Sequence, residues 1–154
     1  MKAFELPAET KSATGFTHKF IVDHVDITTT TAATAQTIDL LDLPVGTVVN
    51  KVAYKLVTAF EDASDAAYND TDFSVGETGD VDEFIDETEV NKNGTEISYS
   101  AGFTFTDAAC TLPRVYTTAS KLTATFAGMS AKSLSDLDAG KVEVYVSLTD
   151  LTAI

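Results

Sequence analysis

The stretch TAFEDASDAAYNDTDF, Thr58 to Phe73, carries five carboxylates and no basic residue. Oxygen-rich loops bind hard cations, and Asp62, Asp65, Asp70 and Asp72 are the calcium candidates within it. Calcium takes roughly six to eight oxygens, and the standard calcium loop sets alternate ligands around a central glycine. This stretch has the oxygens but neither that spacing nor that glycine. The acidity also runs on: twelve of the 24 acids fall between Glu61 and Glu89, with no lysine or arginine from Lys55 to Lys92. Charge runs of this kind face water as a rule, so the segment reads first as a solvated acidic rim and second as a metal loop.

Other chemistry-bearing residues are sparse. His18 and His24 are six apart beside Asp23 and Asp26, an even spacing that puts both imidazoles on one face of a strand. Ordinary strand histidines explain them as well. Cys110, the single cysteine, sits in TDAACTLPR with neither histidine near it in sequence, and reads as a small buried or half-buried thiol. Paired carboxylates can hydrolyse glycosides, but a chain this acidic always contains pairs, and it has no tryptophan to floor a sugar groove. Phosphate loops, dinucleotide glycine fingerprints, paired CxxC motifs and serine-nucleophile elbows are missing from the sequence. The expectation is a protein that is not an enzyme and uses no cofactor.

The elements that must carry these residues read as strands. The chain has 154 residues, suited to one domain, and 24 of them are threonine, a β-branched residue that favours strands. In KVEVYVSLTD, Val142, Val144, Val146 and Leu148 alternate with Lys141, Glu143, Tyr145, Ser147 and Thr149, the pattern of a half-buried strand. GTVVNKVAYKLVT sets Val48, Val52, Tyr54 and Leu56 on one face and Val49, Lys51, Ala53, Lys55 and Val57 on the other. Shorter strands follow the same rule. GFTHKFIVD aligns Phe16, His18, Phe20 and Val22; TEISYSAGF aligns Ile97, Tyr99 and Ala101; KLTATFAG aligns Leu122, Ala124 and Phe126; AQTIDLLDL adds another.

Turn signals fall between these runs at PVG, VGETGD, NKNG and LDAG. Helix is limited to short turns, in EDASDAAY and in DVDEFIDETEV, where Val81, Phe84, Ile85 and Glu89 have near-helical spacing. The predicted fold is all-β: one antiparallel β-sandwich of jelly-roll type over residues 16–154, preceded by an N-terminal arm, 1–15.

A net charge of −14 argues against nucleic acid and anionic membrane as partners, since both need clustered Lys and Arg. The N-terminal residues do not read as a signal peptide, and no apolar run reaches the roughly 18 residues of a membrane helix.

Two segments carry a resemblance. LPVGTVVNKVAYKLVTAFEDASDAAYN is similar to a pattern in small tailed-phage virion proteins: a glycine-led strand, then a turn that opens the next section. MSAKSLSDLDAGKVEVYVSLTDL resembles their closing portion, and TEVNKNGTEISYSAG fits the layout between, so about two-fifths of the chain is covered. The family is that of phage capsid auxiliary or decoration proteins, which are often β-rich and often trimeric. The resemblance implies a structural role on the outer capsid surface of a virion, after synthesis in the host cytoplasm. It implies two partners, the major capsid protein and copies of the chain itself as a homotrimer, and no catalytic residues. The arm lies outside the resemblance; its Phe4 and Leu6, with Phe16, are the expected docking side chains. Two alternatives stay open: a tail or head–tail connector component, and a calcium-assisted carbohydrate-binding β-sandwich.

Overall fold

The computed structural model describes residues 1–94, 104–105 and 112–153. Ten strands run in chain order: β1 Lys2–Glu5, β2 His18–Asp23, β3 Gln36–Leu43, β4 Thr47–Glu61, β5 Thr71–Glu77, β6 Asp80–Glu89, β7 Thr104–Phe105, β8 Arg114–Val115, β9 Ser120–Gly128 and β10 Ala139–Asp150. One short helix, α1 Ala8–Thr14, precedes β2, and single 3-10 turns span His24–Asp26, Leu134–Asp136 and Leu151–Ala153. The first sheet is ordered β1-β2-β10-β4-β7, with β8 also paired to β4; the second is ordered β3-β9-β5-β6. Every pairing between these strands is antiparallel. The sheets pack as a sandwich, as the alternation predicts.

Their inner faces form the core. Phe73 lies between Tyr54 and Phe126 at ring distances of 5.3 and 5.2 Å, and Phe60 reaches Phe126 at 5.2 Å. Val142, Val144 and Val146 pair with Leu56, Tyr54 and Val52, and all six are buried. Leu122, Ala124 and Phe126 face them from β9.

The expected face of β4 changes partway. Ser147 pairs with Lys51 but Leu148 pairs with Val49, which leaves Asn50 unopposed. One extra residue in one strand shifts the alternation by one. Val49 therefore joins the core cluster in place of Val48, contrary to simple period-2 reading.

The second helical expectation is overturned as well: DVDEFIDETEV is the edge strand β6, not a helical turn. Val75 pairs with Ile85 while Glu77 pairs with Asp80, so β6 carries extra residues against β5. That irregularity buries Phe84 and Ile85 side by side and imitates helical spacing. Close passage of β6 also demands Gly76, where a Cβ would stand 2.1 Å from the Asp80 carbonyl oxygen. EDASDAAY, the other helical expectation, makes two successive hydrogen-bonded turns, Asp65 N–H to Asp62 and Tyr68 N–H to Asp65, and no helix. Phe60 and Tyr68 anchor this segment from within; Ala63, Ala66 and Ala67 are exposed.

The first fifteen residues carry more structure than their sequence suggested. β1 pairs with β2 from Lys2–Ile21 to Glu5–His18, and α1 follows Pro7 and ends at Gly15 in the left-handed conformation. Pro7 has no N–H to leave unpaired at the helix start, and Gly15, whose N–H donates to the Lys11 carbonyl, takes its left-handed conformation without a Cβ penalty. No residue of α1 is buried, so no apolar periodicity marked it. The strand expected at Ile97, Tyr99 and Ala101, and Cys110, lie outside the described residues.

Candidate functional site

The acidic turn after β4 divides into two parts with different work. Asp62 accepts hydrogen bonds from the Ser64 N–H (2.9 Å) and hydroxyl (2.6 Å). Asp65 accepts from the Ala67 N–H at 2.9 Å and pairs with Lys132. The bond from Lys132 and that from the Ala67 N–H hold the Asp65 carboxyl below its ordinary range. These two calcium candidates shape the turn, each closing on its own backbone.

Asp70 and Asp72 do come together, and they do so with Glu89 of β6, which pairs with Asp72 across the sheet. One carboxylate oxygen from each lies within 4.8 Å of the other two. Glu89 also accepts from the Asn91 N–H (2.6 Å) and the Thr71 N–H (3.1 Å). Burial pushes the Asp72 carboxyl up, and Asp70 and Glu87 push it further. Burial likewise raises Glu89, against the two backbone N–H groups that lower it. Glu89 was not among the sequence candidates, because its partners lie 17 and 19 positions earlier and only strand pairing joins them.

Geometry separates the histidines. His18 opens β2 and His24 lies just past its far end, in the following 3-10 turn, roughly 20 Å away at strand rise, so one ion cannot bridge them. His18 shares a 2.8 Å hydrogen bond between Nδ1 and the Thr17 hydroxyl and stacks on Phe20. Burial lowers its pKa.

A second polar centre escaped the sequence reading altogether. Arg114, the single arginine, bonds to Glu77 and, at 2.6 Å, to Glu83; the other oxygen of Glu77 accepts from the Tyr116 hydroxyl. Burial, together with the bond to Glu77, pushes the Tyr116 hydroxyl far up, so it stays protonated. Glu77, Arg114, Tyr116 and Ser120 line a cavity of about 420 Å³. A larger cleft of about 640 Å³ adjoins it, where Lys121 pairs with Asp39.

The third feature is the outer face of the first sheet. Register puts Lys2 beside Ile21, Phe4 beside Lys19, Lys19 beside Tyr145, Glu143 beside Lys55, Ser147 beside Lys51 and Asp23 beside Lys141. Among the described residues, five of the chain's ten cations therefore share one face with two acids, Asp23 and Glu143. Aromatic rings sit among the lysines. The Lys19 ammonium is 5.9 Å from the rings of both Phe4 and Tyr145, and that of Lys51 is 4.4 Å from Phe16. Burial pushes the Glu143 carboxyl up, but bonds from Tyr145 (2.5 Å) and Lys19 (3.2 Å) outweigh it and leave its pKa lowered.

The three expected docking side chains meet different fates here. Phe4 is 44% exposed on this face, and Leu6 is half-buried. Phe16 is only 3% exposed, tilted against Tyr145 at 5.7 Å. The turn at Gly15 carries it to the outer side, away from the Phe20 and Val22 face on which alternation placed it.

Comparison of the chain with known protein families, curated proteins and solved structures yields no match.

Proposed function

We propose that this chain is a non-enzymatic structural protein of a tailed-phage virion, of the capsid decoration type. It binds the outer surface of the major capsid protein and stabilises the particle, and it associates with copies of itself as a homotrimer. One observation carries this reading beyond resemblance. With β1 and β8 set aside, the strands fall into two sheets of four, ordered 2-10-4-7 and 3-9-5-6. That is the wiring of an eight-strand jelly roll, an architecture frequent in viral capsid and lectin domains. Fold supports a function only by analogy, and a rigid sandwich suits adhesion because several weak contacts on one assembly act at high effective concentration.

The test is mass spectrometry of purified particles of the phage that encodes the chain. It is expected as a stoichiometric component, accessible to surface labelling on filled heads. Its absence from intact particles overturns the proposal. Labelling confined to the tail or neck would move it to the connector reading.

The second reading, a calcium-assisted carbohydrate-binding module, is favoured by the convergence of Asp70, Asp72 and Glu89. Three carboxylates supply fewer oxygens than calcium's usual roughly six to eight, so such a site would be weak, with water completing the shell. This reading predicts a melting midpoint raised by millimolar calcium in the natural chain and not in Asp72→Asn. An unchanged midpoint removes it.

A further inference from the structure

We propose that the basic, aromatic outer face of the first sheet docks onto the acidic β6 edge of a second copy of this chain. This names the contact behind the self-association in the reading above and rests on that part of it. The charge distribution is the starting point. Lys2, Lys19, Lys51, Lys55 and Lys141 cover one face of a chain whose net charge is −14. Lys2, Phe4 and Lys55 are exposed there. At the other extreme, β6 puts six acids and no cation into ten residues along the edge of the second sheet. Asp80, Asp82 and Glu87 are exposed on it.

Two basic faces repel, and so do two acidic edges, so the favourable contact between copies joins unlike surfaces. A contact of that kind is heterologous: it closes into a ring where the rotation permits and otherwise propagates. The lysine grid spans about 15 by 20 Å, from strand spacing and rise. That is smaller than the roughly 800 Å² per partner of a stable complex, so the contact is weak in solution and grows strong only when copies are held together. Phe4 gives the face an apolar centre, and a lysine stem beside an aromatic ring keeps its charge in water.

Ionic strength separates the terms. The copies repel at long range through their net charge, whereas the docked pairs attract at contact. Salt at about 0.15 M screens beyond about 8 Å and suppresses the first more than the second; at about 1 M screening reaches contact distance. Sedimentation velocity of the full chain at high protein concentration is therefore expected to show oligomers at 0.15 M salt and monomers at 1 M. Lys2→Glu/Lys55→Glu should weaken self-association about tenfold or more, and Asp82→Lys/Glu87→Lys should do the same. Mixing the two variants should restore association, because each then offers the surface that the other needs. All four positions are exposed, and circular dichroism melts confirm that both variants fold.

A monomer under every condition, or variants that associate like the natural chain, overturns the proposal. So does retention of single-stranded DNA at 0.15 M salt that is lost in Lys2→Glu/Lys55→Glu, which would make the face a nucleic-acid surface. The outcome is independent of whether the chain is found in particles, so failure of this contact and failure of the virion reading are told apart.

Discussion

Arg114 reaches from β8, at the edge of the first sheet, to Glu77 on β5 of the second, and holds Glu83 of β6 with its other terminal nitrogen. The Glu77 side chain is 9% exposed and would be an uncompensated buried charge without this partner. Arg114→Ala is expected to destabilise the fold by about 2–3 kcal/mol in urea unfolding. The value lies below that of a fully buried pair because the arginine side chain is 36% exposed. Arg114→Ala combined with Glu77→Gln should recover part of the loss, since the stranded charge is then gone.

Asp72 and Glu89 sit directly opposite each other on paired strands, like charge against like charge. Both carboxyls are raised, chiefly by burial. A raised acid binds its proton more tightly in the folded state, so its ionisation carries a stability penalty that sets in as pH rises through the ordinary carboxylate range and is complete above the folded pKa. Below the ordinary carboxylate range no such penalty remains. Asp72→Asn should therefore stabilise the protein by about 0.2–1 kcal/mol at pH 7 and by nothing near pH 3. Chemical denaturation at both values checks the sign.

The extra residue at Asn50 makes Val49 a core residue at 0% exposure, while Val57 of the same strand is 44% exposed. Val49→Ala is expected to cost about 1.5–3 kcal/mol, and Val57→Ala less than about 0.5 kcal/mol. Equal costs would mean that β4 does not shift its alternation. Thermal melts of the two variants decide it.

Gly140, the second residue of β10, has φ +145°, and a Cβ there would meet the Phe60 ring at 2.1 Å. Ring and backbone are both fixed in the core, so neither can yield cheaply. Gly140→Ala is expected to cost about 3 kcal/mol or more, through strain and overpacking together. Gly79, also at positive φ but with open space around it, should tolerate alanine better.

Alternation alone made the strands legible. Val142, Val144 and Val146 face the core as their spacing required, and Leu122, Ala124 and Phe126 do likewise. Side-chain direction along a strand is a local property with a period of two, and it is written in consecutive residues. The sandwich class followed from many such runs separated by turns, and the acids of Asp62 and Asp65 could be assigned to a turn for the same local reason. Where alternation failed, at Asn50 and within β6, the cause was a residue without a partner on the neighbouring strand. No single strand records that.

What tertiary structure alone decided is who stands beside whom. Strand order brought Glu89 to Asp70 and Asp72, carried Arg114 to Glu77, and gathered five lysines from four strands onto one face of an acidic protein. It also buried Phe16 on the outer side of the first sheet, against Tyr145, and left Phe4 exposed on the same face. Each of these depends on pairing between segments far apart in the chain, which is selected by the burial of the whole core and the register it imposes. Residue types set which faces could be buried; long-range register set which charges met.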